Sequence, residues 1–132
     1  METIFFVCPH GAAKSVLAAT YFQQLAHQHG LPFRAVCGGT EPEAAISPPV
    51  LAWLLAEGLP IPNPAPQLVT LRALATASRV ITMNCDIEML RPVGVAIEQW
   101  DDVPPVSQDL LAARHVIYAH VERLIHELTP LD

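Results

Sequence analysis

The chain has 132 residues, 52% of them hydrophobic and 15% charged, with a net charge of −6. That length suits one domain with one core, and that composition excludes a disordered chain. The acidic balance argues against broad nucleic-acid binding, no apolar run is long enough to cross a bilayer, and the three widely spaced cysteines make no disulfide framework. Met1-Glu2-Thr3-Ile4 lacks the basic flank of a signal peptide, so a cytoplasmic protein with reduced thiols is expected.

In chain order, Thr3 to Val7 is an apolar run that reads as a central strand covered on both faces. Lys14 to His29 reads as a helix, with Val16, Leu17, Ala19, Tyr21 and Leu25 among its apolar positions and Gly30 as its stop. His27 and His29 near its end read as surface residues that suit the negative end of the helix. Phe33 to Cys37 is a second strand, after which Gly38-Gly39 allows a sharp turn. Ile46 to Glu57 reads as a helix with Pro48 and Pro49 in its first turn and Val50, Leu51, Leu54 and Leu55 toward the core. Pro60, Pro62, Pro64 and Pro66 make the next stretch a stiff extended connector rather than a domain boundary. Leu68 to Ala77 is a short helix, Arg79 to Met83 a third strand and Gly94 to Glu98 a fourth. Trp100 to Ser107 is a proline-rich loop. Asp109 to Leu128 is a long helix with Leu110, Leu111, Val116, Ile117, Val121, Leu124 and Ile125 as its core stripe. Strands alternating with helices predict an α/β fold, a parallel sheet with right-handed crossovers in a single domain spanning 1–132.

Sites in open parallel sheets lie beyond the carboxyl ends of the strands. Cys8, the Cys37 turn, Cys85 and the Trp100–Pro105 loop all emerge at that edge. The strongest of these is Cys8-Pro9-His10-Gly11-Ala12-Ala13-Lys14-Ser15, between the first strand and the first helix. Such a loop aims backbone N–H groups and the positive end of a helix at one point, which makes an anion site. The same field favours the nucleophilic thiolate form of Cys8. Lys14 is the single lysine, beside six arginines. Two readings stay open: a composition that avoids lysine, or a position that wants a compact ammonium rather than a planar guanidinium. Cys37 and Cys85, taken singly, read as small buried hydrophobes. A nucleotide-binding loop needs glycine just before the lysine, where Ala13 stands. Cys8, His10, Cys37 and Cys85 include no short Cys-x2-Cys pair, so neither metal nor cofactor is expected.

With Arg in place of Lys14, Cys-x5-Lys-Ser would be the phosphate loop of the cysteine-dependent phosphatases. Further elements follow in order: Cys37-Gly38-Gly39-Thr40-Glu41-Pro42 after strand 2, Arg79-Val80-Ile81-Thr82-Met83-Asn84-Cys85 at strand 3, and Trp100 to Pro105. Over nearly the whole chain, this set resembles the low-molecular-weight protein tyrosine phosphatase family and its thioredoxin-coupled arsenate reductase relatives. The resemblance implies a three-layer sandwich around a four-stranded parallel sheet of order 2-1-3-4. It implies Cys8 as nucleophile, Lys14 as the group that holds the oxyanion, and Ser15 as the residue that stabilises the departing thiolate. It implies an anion cradle formed by Pro9, His10, Gly11, Ala12, Ala13 and Lys14, in which the amides of His10 through Lys14 donate. Gly11 falls where the family usually carries an asparagine with positive φ. His10 falls where it usually carries glycine, which narrows the mouth of the site.

Three departures from the family bear on activity. Lys14 replaces a planar fork with a point charge. Pro105 stands where the acid loop carries its aspartate, leaving Asp102, or Asp101, to reach in from a shifted loop as general acid. No second cysteine follows Cys85, so a relay of thiols within the chain is not expected, and a route through an external small thiol stays open. The expected activity is therefore attenuated phosphatase-like or arsenate-reductase-like chemistry. The alternative is a non-enzymatic oxyanion-binding or regulatory domain of the same fold. The expected partners are a phosphate- or arsenate-type oxyanion and a phosphoprotein or small thiol, with no nucleic acid and no membrane.

Overall fold

The computed structural model describes residues 1–130. The elements are β1 (Glu2–Cys8), α1 (Lys14–Gln28), β2 (Phe33–Gly39), α2 (Pro48–Ala56), α3 (Leu71–Ala75), β3 (Arg79–Thr82), a 3₁₀ turn at Glu88–Leu90, β4 (Ala96–Gln99) and α4 (Leu110–Leu128). The four strands form one parallel sheet of order β2-β1-β3-β4, the order that the resemblance implies. β1 lies at its centre. Its alternate side chains serve two faces, as the period of two in a strand requires. Ile4, Phe6 and Cys8 enter the larger core, shared with α1, α2 and α4. Phe5 and Val7 enter a smaller one with Val69, Leu74, Val80 and Ile87. Covered on both faces, the strand reads in sequence as an unbroken apolar run.

α1 and α4 pack on the larger-core face. α4 is started by Asp109, whose Oδ1 accepts the Ala112 N–H at 3.0 Å, and α3 by Thr70, whose Oγ1 accepts the Ala73 N–H at 3.1 Å. Trp100 is 1% exposed and packs on Phe6 with ring centroids 5.8 Å apart. Burying a side chain of that size contributes on the order of 3 kcal/mol. Together with buried Val103, it roots the 100–107 loop in the core.

The structure revises several expectations. α2 begins at Pro48 rather than Ile46, because Ser47 is non-helical, with ψ 120, and its N–H donates to the Ala12 carbonyl at 2.9 Å. α3 is shorter than Leu68 to Ala77, since Thr70 is extended, Leu68 bridges to Gly39 and the Val69 N–H donates to the Gly39 carbonyl at 3.0 Å. Leu55 and Leu111, expected in the core, are 65% and 61% exposed. In each helix the buried stripe is one to two residues wide: Val50 and Leu54 in α2, and Ala113, Ile117, Val121, Leu124 and Ile125 in α4. A neighbour one position round the helix points outward. No helix among the described residues is long and apolar enough to cross a membrane.

Candidate active site

The loop between β1 and α1 is shaped by what its carbonyls bind. Pro9 O accepts the Glu41 N–H at 2.7 Å, His10 O the Glu43 N–H at 3.0 Å, and Ala12 O the Ser47 N–H at 2.9 Å. All three donors lie in the β2–α2 segment. A trans peptide sets each N–H opposite the preceding C=O. Holding these carbonyls outward therefore turns the amides of His10, Gly11 and Ala13 to the other side. Among the described residues, the N–H groups of His10 to Lys14 have no protein acceptor. Backbone donors converging without acceptors make an anion cradle.

Two glycines permit this close approach. Gly11 has φ +60, the left-handed conformation that glycine adopts without strain. It lies behind the cradle against Gly38 and Gly39. A Cβ on Gly39 would stand 2.5 Å from Gly11 N, 2.7 Å from His10 C and 2.8 Å from Pro9 O. The Gly38-Gly39 pair, read in sequence as a turn, is thus the last part of β2 and the surface on which the cradle rests.

Cys8 ends β1 beneath the cradle and is 3% exposed. Its thiol donates to Ser15 Oγ at 3.1 Å, and its sulfur accepts the Ser15 N–H at 3.4 Å. If the thiol ionises, the Ser15 hydroxyl can turn to donate, so both Ser15 donors then face the sulfur. Lys14 opens α1. Its Nζ donates to Asn84 Oδ1 at 2.7 Å and to the Val103 carbonyl at 3.1 Å. Partial burial lowers its pKa below the ordinary lysine value, against the opposing pull of Cys8, Asp101 and Cys85.

A cavity of about 600 Å³ lies over this loop. Cys8, Pro9, His10, Ala12, Ala13 and Lys14 form its floor. Glu43, Ser47, Pro48 and Pro49 wall one side, and Pro105, Val106 and Ser107 wall the other. Pro105 thus stands on the cavity wall. The two candidate acids do not line it. Asp102 is turned onto α4, where its Oδ1 meets His120 Nε2 at 2.8 Å. That hydrogen bond holds the Asp102 carboxyl below its usual range. His120 in turn stacks on Trp100, with centroids 4.7 Å apart and planes 9° apart. Asp101 Oδ1 accepts the Asn84 N–H at 3.0 Å.

Among the residues at the site that were not nominated from the sequence are Glu43 and Asn84. Glu43 faces the cavity with His10, its Oε1 3.8 Å from His10 Nδ1. It lies in an irregular segment whose path no periodicity reveals. Asn84 is the acceptor for Lys14, and its place after strand 3 was the only available signal. Cys37 and Cys85 do not line the cavity. Cys37 Sγ donates to Asn63 Oδ1 at 3.4 Å, and burial pushes its thiol up to about 12. Cys85 donates to the Val7 carbonyl at 3.6 Å, and burial pushes it up to about 11.

The thioredoxin-dependent arsenate reductase of Corynebacterium glutamicum is 22% identical, with a TM-score of 0.82 over 97% of this chain and 62% of that one. This chain therefore spans less than two thirds of that protein. YfkJ from Bacillus subtilis is 20% identical, with a TM-score of 0.83 over 96% of this chain and 94% of that one. The low molecular weight protein tyrosine phosphatase SP-PTP of Streptococcus pyogenes is 15% identical, with a TM-score of 0.83 over 98% of this chain and 95% of that one. These likenesses show the fold. No curated protein matches the chain significantly. The family model described as low molecular weight phosphotyrosine protein phosphatase matches residues 3–101, three quarters of the chain. On that match, the chain belongs to the low molecular weight phosphotyrosine protein phosphatase family.

Proposed function

We propose that the cavity binds a phosphate- or arsenate-type oxyanion and that Cys8 attacks it, hydrolysing phosphate monoesters slowly through a Cys8 thiophosphate. In the first step the Sγ–P bond forms, the ester P–O bond breaks, and the alcohol oxygen leaves with the electron pair. Water then displaces Cys8, releasing inorganic phosphate. The observation that carries this reading is the Cys8 sulfur held by Ser15 beneath amides that have no protein acceptor. The amides of His10 to Lys14 supply the donors, Pro9 contributes to the floor without an N–H, and Lys14 supplies the positive charge. A phosphoprotein side chain is a substrate of the right chemistry. Arsenate fits the same cradle, and its reduction would draw on an external small thiol. Such thiols point to a cytoplasmic setting.

The turnover is attenuated for two reasons. Asp101 and Asp102 are engaged elsewhere, so no carboxylic acid from their loop protonates the leaving oxygen, a loss of about 10²–10⁴. Lys14 has already committed two donors to Asn84 and Val103, so it offers the oxyanion one N–H where a guanidinium would offer two. This second observation also favours the runner-up, an oxyanion-binding or regulatory domain without turnover.

A rate series over phosphate esters of graded leaving-group pKa separates them. Aryl phosphates with acidic phenols are expected to react, alkyl phosphates to be nearly inert, and Asp102→Ala to change the aryl rate little. Cys8→Ser is expected to lose both turnover and the phosphoryl adduct seen by intact mass. A flat dependence on leaving-group pKa that Asp102→Ala abolishes would mean a working acid and an ordinary phosphatase. No adduct and no turnover in the parent would leave the binding-only reading.

A further inference from the structure

We propose that Asn84 is the positioning residue for Lys14, holding the ammonium at the rim of the cradle with one N–H left for the oxyanion. The inference rests on the reading that Lys14 binds that oxyanion. Asn84 has φ 55, and among the described residues it is the one non-glycine residue with positive φ. A side chain in that region is strained and persists where its surroundings over-determine it. The surroundings here are specific. The Asn84 N–H donates to Asp101 Oδ1 at 3.0 Å, and its Nδ2 donates to the Asp101 carbonyl at 2.9 Å. With the amide nitrogen committed, the amide oxygen must face the other way, and it accepts from Lys14 Nζ at 2.7 Å.

The second acceptor, Val103 O at 3.1 Å, is equally fixed, because the Val103 side chain is buried in the core and Trp100 anchors the same loop. A lysine has four flexible bonds to order when it binds an anion. Two rigid acceptors order it beforehand, so binding an anion no longer carries that entropy cost. Asp101, a sequence candidate for the acid, here anchors Asn84. The strained asparagine, the three short hydrogen bonds and the single lysine form one continuous arrangement from the 100–107 loop to the cradle.

Two variants test this without unfolding the chain. Asn84→Gly takes φ 55 without strain and removes the acceptor. Asn84→Asp loses the Nδ2 donation to Asp101 but puts a carboxylate within reach of Lys14, whose charge draws it into the acceptor position, and so serves as the rescue. The first readout needs no anion. Lys14 is the only lysine, so its acylation by acetic anhydride can be read against the amino terminus by peptide mass. Asn84→Gly is expected to speed acylation of Lys14 about tenfold, the scale of one hydrogen bond to a charged group, and Asn84→Asp to reverse most of that.

The second readout is protection of Cys8 from iodoacetamide by inorganic phosphate. Asn84→Gly is expected to weaken the apparent affinity about tenfold when Lys14 is present and to change nothing in the Lys14→Ala background. Equal weakening in both backgrounds would show a merely structural role and overturn the proposal. So would unchanged acylation of Lys14 in Asn84→Gly. Phosphate that fails to protect Cys8 in the parent would overturn the oxyanion reading, while the acylation rates still decide whether Asn84 holds Lys14.

Discussion

Replacing Gly39 with alanine tests whether the cradle owes its shape to the backbone beneath it. The added methyl would lie 2.5 Å from Gly11 N, 2.7 Å from His10 C and 2.8 Å from Pro9 O. All three neighbours are main-chain atoms, so no side chain can rotate aside, and the loop must move by several tenths of an ångström or more. Overpacking of this kind costs ~1–3 kcal/mol, and the upper half of that range applies where only backbone can yield. For a chain of this length, that lowers Tm by on the order of 10 °C. Displacing the loop also misaims the amides of His10 and Gly11, and a misplacement near 1 Å costs about 10² in a positioned reaction. Gly30→Ala is the control. Its φ is +64, but nothing lies within 4 Å of the added carbon. It is expected to lose ~1–2 kcal/mol of stability through the left-handed backbone alone, with phosphate protection of Cys8 intact. The assay pairs thermal melts with iodoacetamide protection for parent, Gly39→Ala and Gly30→Ala. If Gly39→Ala keeps parental phosphate affinity, the cradle does not depend on this contact and the reasoning fails.

Two further predictions follow from burial. Iodoacetamide at pH 7–8 is expected to add one carbamidomethyl group to the native chain, at Cys8, because burial pushes Cys37 up to about 12 and Cys85 up to about 11; two or three adducts forming at similar rates, read by intact mass, would contradict this. The lowered pKa of Lys14 means that its charge is lost at a lower pH than in an ordinary lysine, so phosphate protection of Cys8 should fall away below the ordinary lysine value of 10.5. The stability trend has the opposite sign: in that window the unfolded chain binds more protons than the folded one, so Lys14 makes the fold more stable as pH rises. Protection unchanged up to that pH would refute the assignment of Lys14.

Local patterns carry local structure, and the sequence alone determined what depends on them. The apolar run of β1, the small-residue loop and the helical spacing of α1 are all short-range signals, and together they place Cys8, Lys14 and Ser15 side by side. The alternation of strands and helices restricts the topology, because parallel strands need crossovers of one hand. The positive φ of Gly11 came from the family resemblance, at a position that glycine takes without strain.

Tertiary structure decided where the irregular segments run. Asp101 and Asp102 are adjacent in sequence and chemically alike, yet one caps the Asn84 amide and the other is drawn to His120 on α4. Neither choice is visible until the loop after β4 is laid beside the end of β3 and against α4. Glu43 reaches the cavity because the β2–α2 segment is laid along the cradle by three backbone bonds, which any residues there could supply. Leu55 and Leu111 are as apolar as the leucines beside them, and only the packed helix axes determine which of them face water. Lys14 was found from the sequence, but its partner was not. A lysine can reach several acceptors, and the choice of Asn84 follows from a strained backbone held by a loop seventeen residues further along the chain.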